Sequence, residues 1–290
     1  MSESTDYYVP EGSYWPIIAT IALFVIFLGA ALTFNVGSGA APILLVGFVM
    51  LGVVFFGWFG DVIKESQDGV YSDQVDISFR MGMSWFIFSE VMFFAAFFGA
   101  LYYARMYSVP WLGGEGSGAA TNEFLWPKFT AAWPLFEPPS TYAFDNFKET
   151  IGAWGIPFWN TAILLTSGGT VTYAHWGLIK GNRRQLILGL ALTVALGVIF
   201  VGLQADEYAH AYNDLGLTLN SGIYGATFFL LTGFHGFHVT MGTIMLAVIL
   251  ARSIKGHFTP KNHFAFEAVA WYWHFVDVVW IGLFIFVYWL

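Results

Sequence analysis

Cysteine is absent from the 290-residue chain. This removes disulfides, thiolate zinc sites, iron–sulfur clusters, Cys-bridged copper and the C-x-x-C-H attachment of c-type haem. Charge is also scarce: Asp, Glu, Lys and Arg make up 10% of the residues, against about 25% in a soluble domain. With 57% of the chain apolar, and 13 Trp, 14 Tyr and 31 Phe, a water-soluble globule, a disordered chain and a collagen-like fibre are all excluded. The scarcer sign is positive. Lys plus Arg number 11 against 19 Asp plus Glu, the reverse of a nucleic-acid-binding surface. Residues 1–11 hold three acids and no base; they lack the basic start of a signal peptide and the Arg-rich pattern of a transit peptide, and are expected to be retained.

What the chain has in abundance is long apolar runs. A helix needs about 20 apolar residues to cross the hydrocarbon of a bilayer, and runs of that kind fall at 16–34, 41–62, 78–106, 154–179, 186–209, 219–251 and 262–289. No alternation of period two is sustained through them, which argues against a transmembrane barrel. The expected fold is all-α: a polytopic membrane bundle of seven transmembrane helices. Only one connection is long, residues 107–153, rich in Gly, Pro and Trp and expected to be an ordered loop rather than a domain. Residues 1–77, with the first two helices, form one predicted region, and residues 78–290 the other.

Orientation follows the Lys and Arg residues. With a cytoplasmic N-terminus and a periplasmic C-terminus, eight bases lie inside (Lys64, Arg80, Lys180, Arg183, Arg184, Arg252, Lys255, Lys261) and three outside (Arg105, Lys128, Lys148). The outer face then carries Glu115, Glu123, Glu137, Asp145, Glu149, Asp206, Glu207 and Asp214. Such an acidic face would attract a basic soluble partner, or is simply a solvated loop surface.

Carboxylates inside a span need partners or protons. Glu90 stands ten residues after Arg80 and fifteen before Arg105, which puts it at mid-depth. It is consistent with proton binding, with lipid contact, or with a structural hydrogen bond to a neighbouring helix. In the last span Glu267, Trp271, His274 and Asp277 share one helix face, and His235 and His238 lie one turn apart in the sixth. His235, His238, Glu267, His274 and Asp277 are read as a buried polar network that needs no ligand. Haem or zinc requires side chains converging from different helices; no span has the widely separated His pair of a membrane di-haem protein, so no metal is expected on this chain. Gly47, Gly52 and Gly57, Gly177 with Gly181, and Gly233 with Gly236 are candidate points of close helix approach.

Several stretches carry a family likeness. They are Arg80-Met81-Gly82-Met83 leading to Phe86-Ile87-Phe88-Ser89-Glu90-Val91-Met92-Phe93-Phe94; Asn160-Thr161 with Leu164-Leu165-Thr166-Ser167-Gly168; and Leu203-Gln204-Ala205 with Glu207-Tyr208. The most specific are Thr232-Gly233-Phe234-His235-Gly236-Phe237-His238-Val239, His263-Phe264-Ala265-Phe266-Glu267-Ala268 and Trp271-Tyr272-Trp273-His274-Phe275-Val276-Asp277. The chain resembles cytochrome c oxidase subunit III.

The resemblance implies two N-terminal helices separated from five by a lipid-filled V-shaped cleft, with phospholipids bound there. It implies subunits I and II as partners, haem A and copper held by those partners, cytochrome c as the donor, and no catalytic residue here. Glu90 would be the carboxylate facing the lipid cleft, with Arg80 at its cytoplasmic entrance. Arg80, Lys180, Arg183 and Arg184 are candidate contacts to lipid phosphates. Expected roles are stabilising the catalytic subunit, supporting proton uptake, protecting the active site during turnover and guiding oxygen. The Trp133-Pro134-Leu135-Phe136-Glu137 loop is longer than in mitochondrial relatives, which leads to the expectation of a bacterial aa-type oxidase in the cytoplasmic membrane. The alternatives are a stand-alone proton-coupled transporter, or subunit III of a quinol oxidase, whose members commonly lack the first two helices.

Overall fold

The computed structural model describes residues 8–9, 12–140 and 143–290; the expectation for residues 1–11 therefore lies almost wholly outside it. No strand occurs among the described residues. Seven helices of 20 residues or more are present: α1 (Trp15–Asn35), α2 (Ala41–Asp68), α3 (Asp73–Tyr103), α4 (Ile156–Ile179), α5 (Arg183–His210), α6 (Gly222–Lys255) and α7 (Phe264–Leu283). Wider π-helical turns extend α3 through Ser108, α5 through Leu215 and α7 through Trp289. The helices start and stop where the sequence allows. Pro16, Pro42 and Pro157 sit in first turns, where the missing N–H is no loss. Gly69 and Gly256 close α2 and α6 at φ 71° and 81°, a backbone region that other residues enter only with strain. Asn182 caps α5 by accepting from the Gln185 amide at 3.2 Å, satisfying one of the four orphan donors of the first turn.

Two compact units make up the chain, Met1–Met81 and Gly82–Leu290. In the first, α1 and α2 form a hairpin through a short 3-10 turn at Ser38–Ala40. The approach is close because glycines face it: a Cβ on Gly47 would sit 2.7 Å from the Ile26 amide nitrogen. Gly57 lies under the Trp15 ring, and the Trp15 indole donates to Asp61 at 2.7 Å. The last turns of α2 are polar and pass beyond the apolar run, as a helix does where it leaves lipid for water. Between α2 and α3 the Tyr71 hydroxyl donates to Glu65 at 2.7 Å; burial, helped by that carboxylate, pushes the phenol above its ordinary range.

The second unit contains the large core. Antiparallel α4 and α7 are held in register by two indoles: Trp273 donates to the Ser167 hydroxyl and Trp280 to the Thr161 hydroxyl, each at 2.8 Å. Both tryptophans are fully buried. Gly189 admits Ala174 and Gly242 admits the Trp273 ring, where an added Cβ would come within 2.7 Å and 2.8 Å of the neighbour. The segment before α4 contains short helices Val109–Leu112 and Ala119–Leu125 and is tied to the same unit. The Asn122 amide donates to the Leu112 and Trp126 carbonyls at 3.0 Å, the Lys148 N–H to the Leu215 carbonyl at 2.9 Å, and the Phe147 ring stacks on Tyr224 at 5.3 Å.

Among the described residues, six helical stretches are long and apolar enough to cross a membrane: Trp15–Asn35, Ser38–Asp68, Asp73–Leu125, Arg183–Leu215, Gly222–Lys255 and Phe264–Trp289. Their outer surface is apolar too, with Phe27 70%, Phe56 85%, Phe237 60% and Val278 67% exposed. Exposed apolar area on that scale has no stable arrangement in water and an ordinary one in lipid. The helix outside this set is α4, which is rich in hydroxyls. Those of Thr161, Thr166, Thr170 and Thr172 bond to carbonyls one turn back at 2.7–2.9 Å.

Candidate functional site

Glu90 lies midway along α3, and its side chain meets His238 of α6, Oε2 to Nε2, at 2.9 Å. The other imidazole nitrogen fixes the chemistry. His238 Nδ1 is 2.6 Å from the Phe234 carbonyl, which can only accept, so Nδ1 carries hydrogen. Nε2 then either accepts from a neutral Glu90 acid or donates, as imidazolium, to a carboxylate. One proton lies between the two groups in both cases, and the pair has no net charge in either. Phe94, Phe237 and Tyr272 surround the imidazole at 5.0–6.1 Å between ring centres, so little water screens the contact. The histidine side chain is 8% exposed and the glutamate 22%; the acid is the member open to the surroundings.

The five residues grouped by spacing as one polar network occupy separate contacts instead. His235 is fully buried between the Phe200 and Trp280 rings and donates from Nε2 to the Val276 carbonyl at 3.2 Å. His238 turns to α3 and Glu90. His274 Nδ1 is 3.5 Å from Asp277 Oδ2, with its Nε2 3.4 Å from the Thr172 hydroxyl. Glu267 meets two histidines not placed with it: Oε1 is 3.2 Å from His263 Nε2 and 3.6 Å from His175 Nε2. Positions one helical turn apart share a face, but α7 has α4 on one side, where Trp273 meets Ser167, and α6 on another, where Val276 meets His235.

A second correction concerns Glu207. Counted from the sequence as a solvated acid of the outer face, it is 1% exposed. It accepts from the Tyr288 hydroxyl at 2.6 Å and from the Gln204 amide at 3.0 Å. The adjoining Tyr208 hydroxyl shares a 2.6 Å hydrogen bond with Thr232. The Glu207-Tyr208 pair therefore fastens the end of α5 to α6 and α7. Among the glycines, Gly47, Gly57 and Gly177 are close contacts, whereas Gly52 and Gly236 face open space.

The candidate headgroup contacts lie at helix ends. Arg80 pairs with Asp76 at 2.6 Å. Lys180, Arg183 and Arg184 are exposed around the turn joining α4 and α5, and the Arg183 guanidinium donates to the Ile254 carbonyl near the end of α6. Arg252 lies over the Phe258 ring, 4.5 Å from its centre, a cation–π contact. In the following loop, burial together with the Arg252 and Lys255 charges lowers the His257 imidazole below the usual histidine range.

Comparison with known proteins assigns this constellation to a lineage. The family model described as cytochrome c oxidase subunit III matches residues 5–127 and 124–290. Proteins named cytochrome c oxidase subunit 3 are similar over nearly their whole length. That of Prototheca wickerhamii is 41% identical over 283 residues, 97% of this chain and 96% of the relative. That of Marchantia polymorpha is 39% identical over 290 residues, 100% and 98%. That of Cyprinus carpio is 41% identical over 284 residues, 98% and 96%. The chain belongs to the cytochrome c oxidase subunit III family. It is accordingly a multi-pass membrane subunit of an oxidase complex, working in the electron transport chain of aerobic respiration. In this subunit III, Glu90 and His238 form a polar pair within the spans, while Glu207 and Tyr288 fasten the far ends of α5 and α7.

Proposed function

We propose that this chain is the non-redox accessory subunit of an aa-type cytochrome c oxidase that couples electron transfer from cytochrome c to oxygen with proton pumping. The observation that carries the reading is the family match along the full chain. The chain's own residues support the non-redox role: cysteine is absent, and His238 is engaged at both ring nitrogens, with the Phe234 carbonyl and with Glu90. Subunits I and II would hold haem A and copper. On this reading α4 is the seventh span, because its hydroxyls are satisfied within the helix and cost little in lipid. The N-terminus is cytoplasmic and the C-terminus periplasmic, in a bacterial inner membrane. Phospholipids fill the cleft that the resemblance implies, with Arg80, Lys180, Arg183 and Arg184 at headgroup level. The presence of α1 and α2 favours a cytochrome c donor over a quinol.

Glu90 would support proton supply and lipid contact through the single proton it shares with His238. In Glu90→Gln the amide still donates to His238 Nε2, so assembly and initial turnover should stay near wild type. Near-total loss of oxidase activity in a fully assembled complex would contradict this. The identity test is simpler: gentle purification should recover this chain with haem- and copper-bearing partners, and the isolated chain should have no Soret band. A stoichiometric haem retained by the chain alone would defeat the reading, and substrate-driven flux through the chain alone in liposomes would revive the transporter.

A further inference from the structure

The histidines near the ends of α4 and α7 form an arrangement that the oxidase function does not use. His175 lies in the last turn of α4, His263 at the N-terminal boundary of α7 and Glu267 in the first turn of α7. Antiparallel packing brings these two helix ends together. The ligand-capable atoms of the three residues all lie within 4.8 Å of one another, with Glu267 Oε1 at 3.2 Å from His263 Nε2 and 3.6 Å from His175 Nε2. A tetrahedral zinc ion with bonds of about 2.0–2.2 Å holds its donor atoms about 3.3–3.6 Å apart. The two spacings to Glu267 Oε1 are therefore close to those within a ligand set.

Two further features favour an ion over a self-contained hydrogen-bonded triad. His175 Nε2 is shut off from solvent and has no hydrogen-bond partner; at 3.6 Å the Glu267 oxygen is beyond hydrogen-bond reach. A buried imidazole nitrogen left in that state needs a reason, and a metal ion in the gap supplies one. His263 is oriented from behind: its Nδ1 is 3.1 Å from the Thr259 carbonyl, so the hydrogen sits on Nδ1 and the Nε2 lone pair faces the gap. A second interaction of this type is the usual support of a metal-bound histidine. The three side chains are 27%, 10% and 16% exposed, so an ion can enter from the water at the helix ends.

We propose that His175, His263 and Glu267 bind a divalent transition-metal ion of the zinc type. Two neutral imidazoles and one carboxylate suit such an ion better than magnesium or calcium, which prefer an all-oxygen shell. The fourth position is open to water or to a ligand from outside. No electron transfer is involved, since zinc has no redox chemistry; the bound ion clamps the end of α4 to the start of α7. The inference rests on residues of this chain alone and is independent of how Glu90 acts.

The test uses the assembled oxidase carrying this chain, stripped with a chelator and titrated with zinc against a chromophoric competitor. Glu267→Gln and His175→Gln each remove a ligand at nearly constant volume. Wild type should bind one tight equivalent that is weakened about tenfold or more in either variant, while haem content and the recovery of this chain stay unchanged. Equal stoichiometry and affinity in all three proteins would overturn the proposal. Should a variant fail to assemble, anomalous scattering at the zinc edge from the zinc-soaked wild type decides. A peak bonded to the two Nε2 atoms and the carboxylate supports the site, and none there at saturating zinc refutes it.

Discussion

The α1–α2 hairpin and the bundle from Gly82 to the C-terminus solve the same problem, holding helices together in lipid, by different means. In the hairpin the buried helical positions are Ala22, Gly29, Gly47 and Val54, and only 11% of the most apolar stretch of α1, and of α2, is buried. In the last helix of the bundle that share is 56%, and the interior contains whole indoles. Lipid tails are as apolar as leucine, so burying leucine between helices gains little there; close packing and hydrogen bonds decide. The bundle has both in quantity. The hairpin has a narrow seam of small residues and one indole–carboxylate bond, which leaves its outward side chains for lipid or for a partner surface.

The largest effect should come from the bundle's densest point. Trp273→Ala removes a fully buried indole, its bond to Ser167 and the ring that fills the recess at Gly242. Large-to-small changes of this type cost about 3–5 kcal/mol. Unfolding of the purified chain in mixed micelles, followed by the loss of α4–α7 proximity between introduced fluorophores, should show destabilisation of that order. A cost below about 1 kcal/mol would mean that the bundle is not held by its buried aromatics.

The middle effect probes the hairpin. Gly47→Leu drives a side chain into the Ile26 backbone, where even a Cβ has only 2.7 Å, and overpacking of this kind costs about 1–3 kcal/mol. Gly52→Leu, five residues on and in open space, should cost almost nothing. Since the chain has no cysteine, pairs of cysteines introduced across α1 and α2 report the separation without background. Gly47→Leu should slow their cross-linking and Gly52→Leu should not. Equal behaviour would show that the seam does not hold the hairpin.

That contrast marks where sequence reading stops. The apolar runs fixed the long helices to within a few residues, because length and hydropathy are local properties. Gly47 and Gly52 look alike in a sequence, and only the crossing of two helices separates them. Glu207 was misplaced for the same reason. Near a span end an acid next to another acid reads as solvated, and burial came from Tyr288, a residue 81 positions away. Helical spacing groups His238 with His274, whereas its direction around α6 delivers it to Glu90, 148 residues earlier. His263 and Glu267 share one motif, but nothing in the sequence joins to it His175, which lies on another element. The antiparallel register set by Trp273 and Trp280 creates the cluster.

The smallest effect sharpens the comparison most. Asp61→Ala keeps the Trp15 ring that covers Gly57 and deletes only the acceptor of its indole N–H, a bond at the exposed rim of the hairpin. A hydrogen bond is worth about 0.5–1.5 kcal/mol, with exposed ones at the low end because water replaces the lost partner. Cross-linking across α1 and α2 should therefore barely change, by less than Gly47→Leu changes it. If Asp61→Ala instead loosened the hairpin as much as Gly47→Leu, the carboxylate bond would have to lie in a far drier environment than its exposure implies. The hairpin would then be held by hydrogen bonding as the bundle is, and the distinction between the two regions would become one of number rather than of kind.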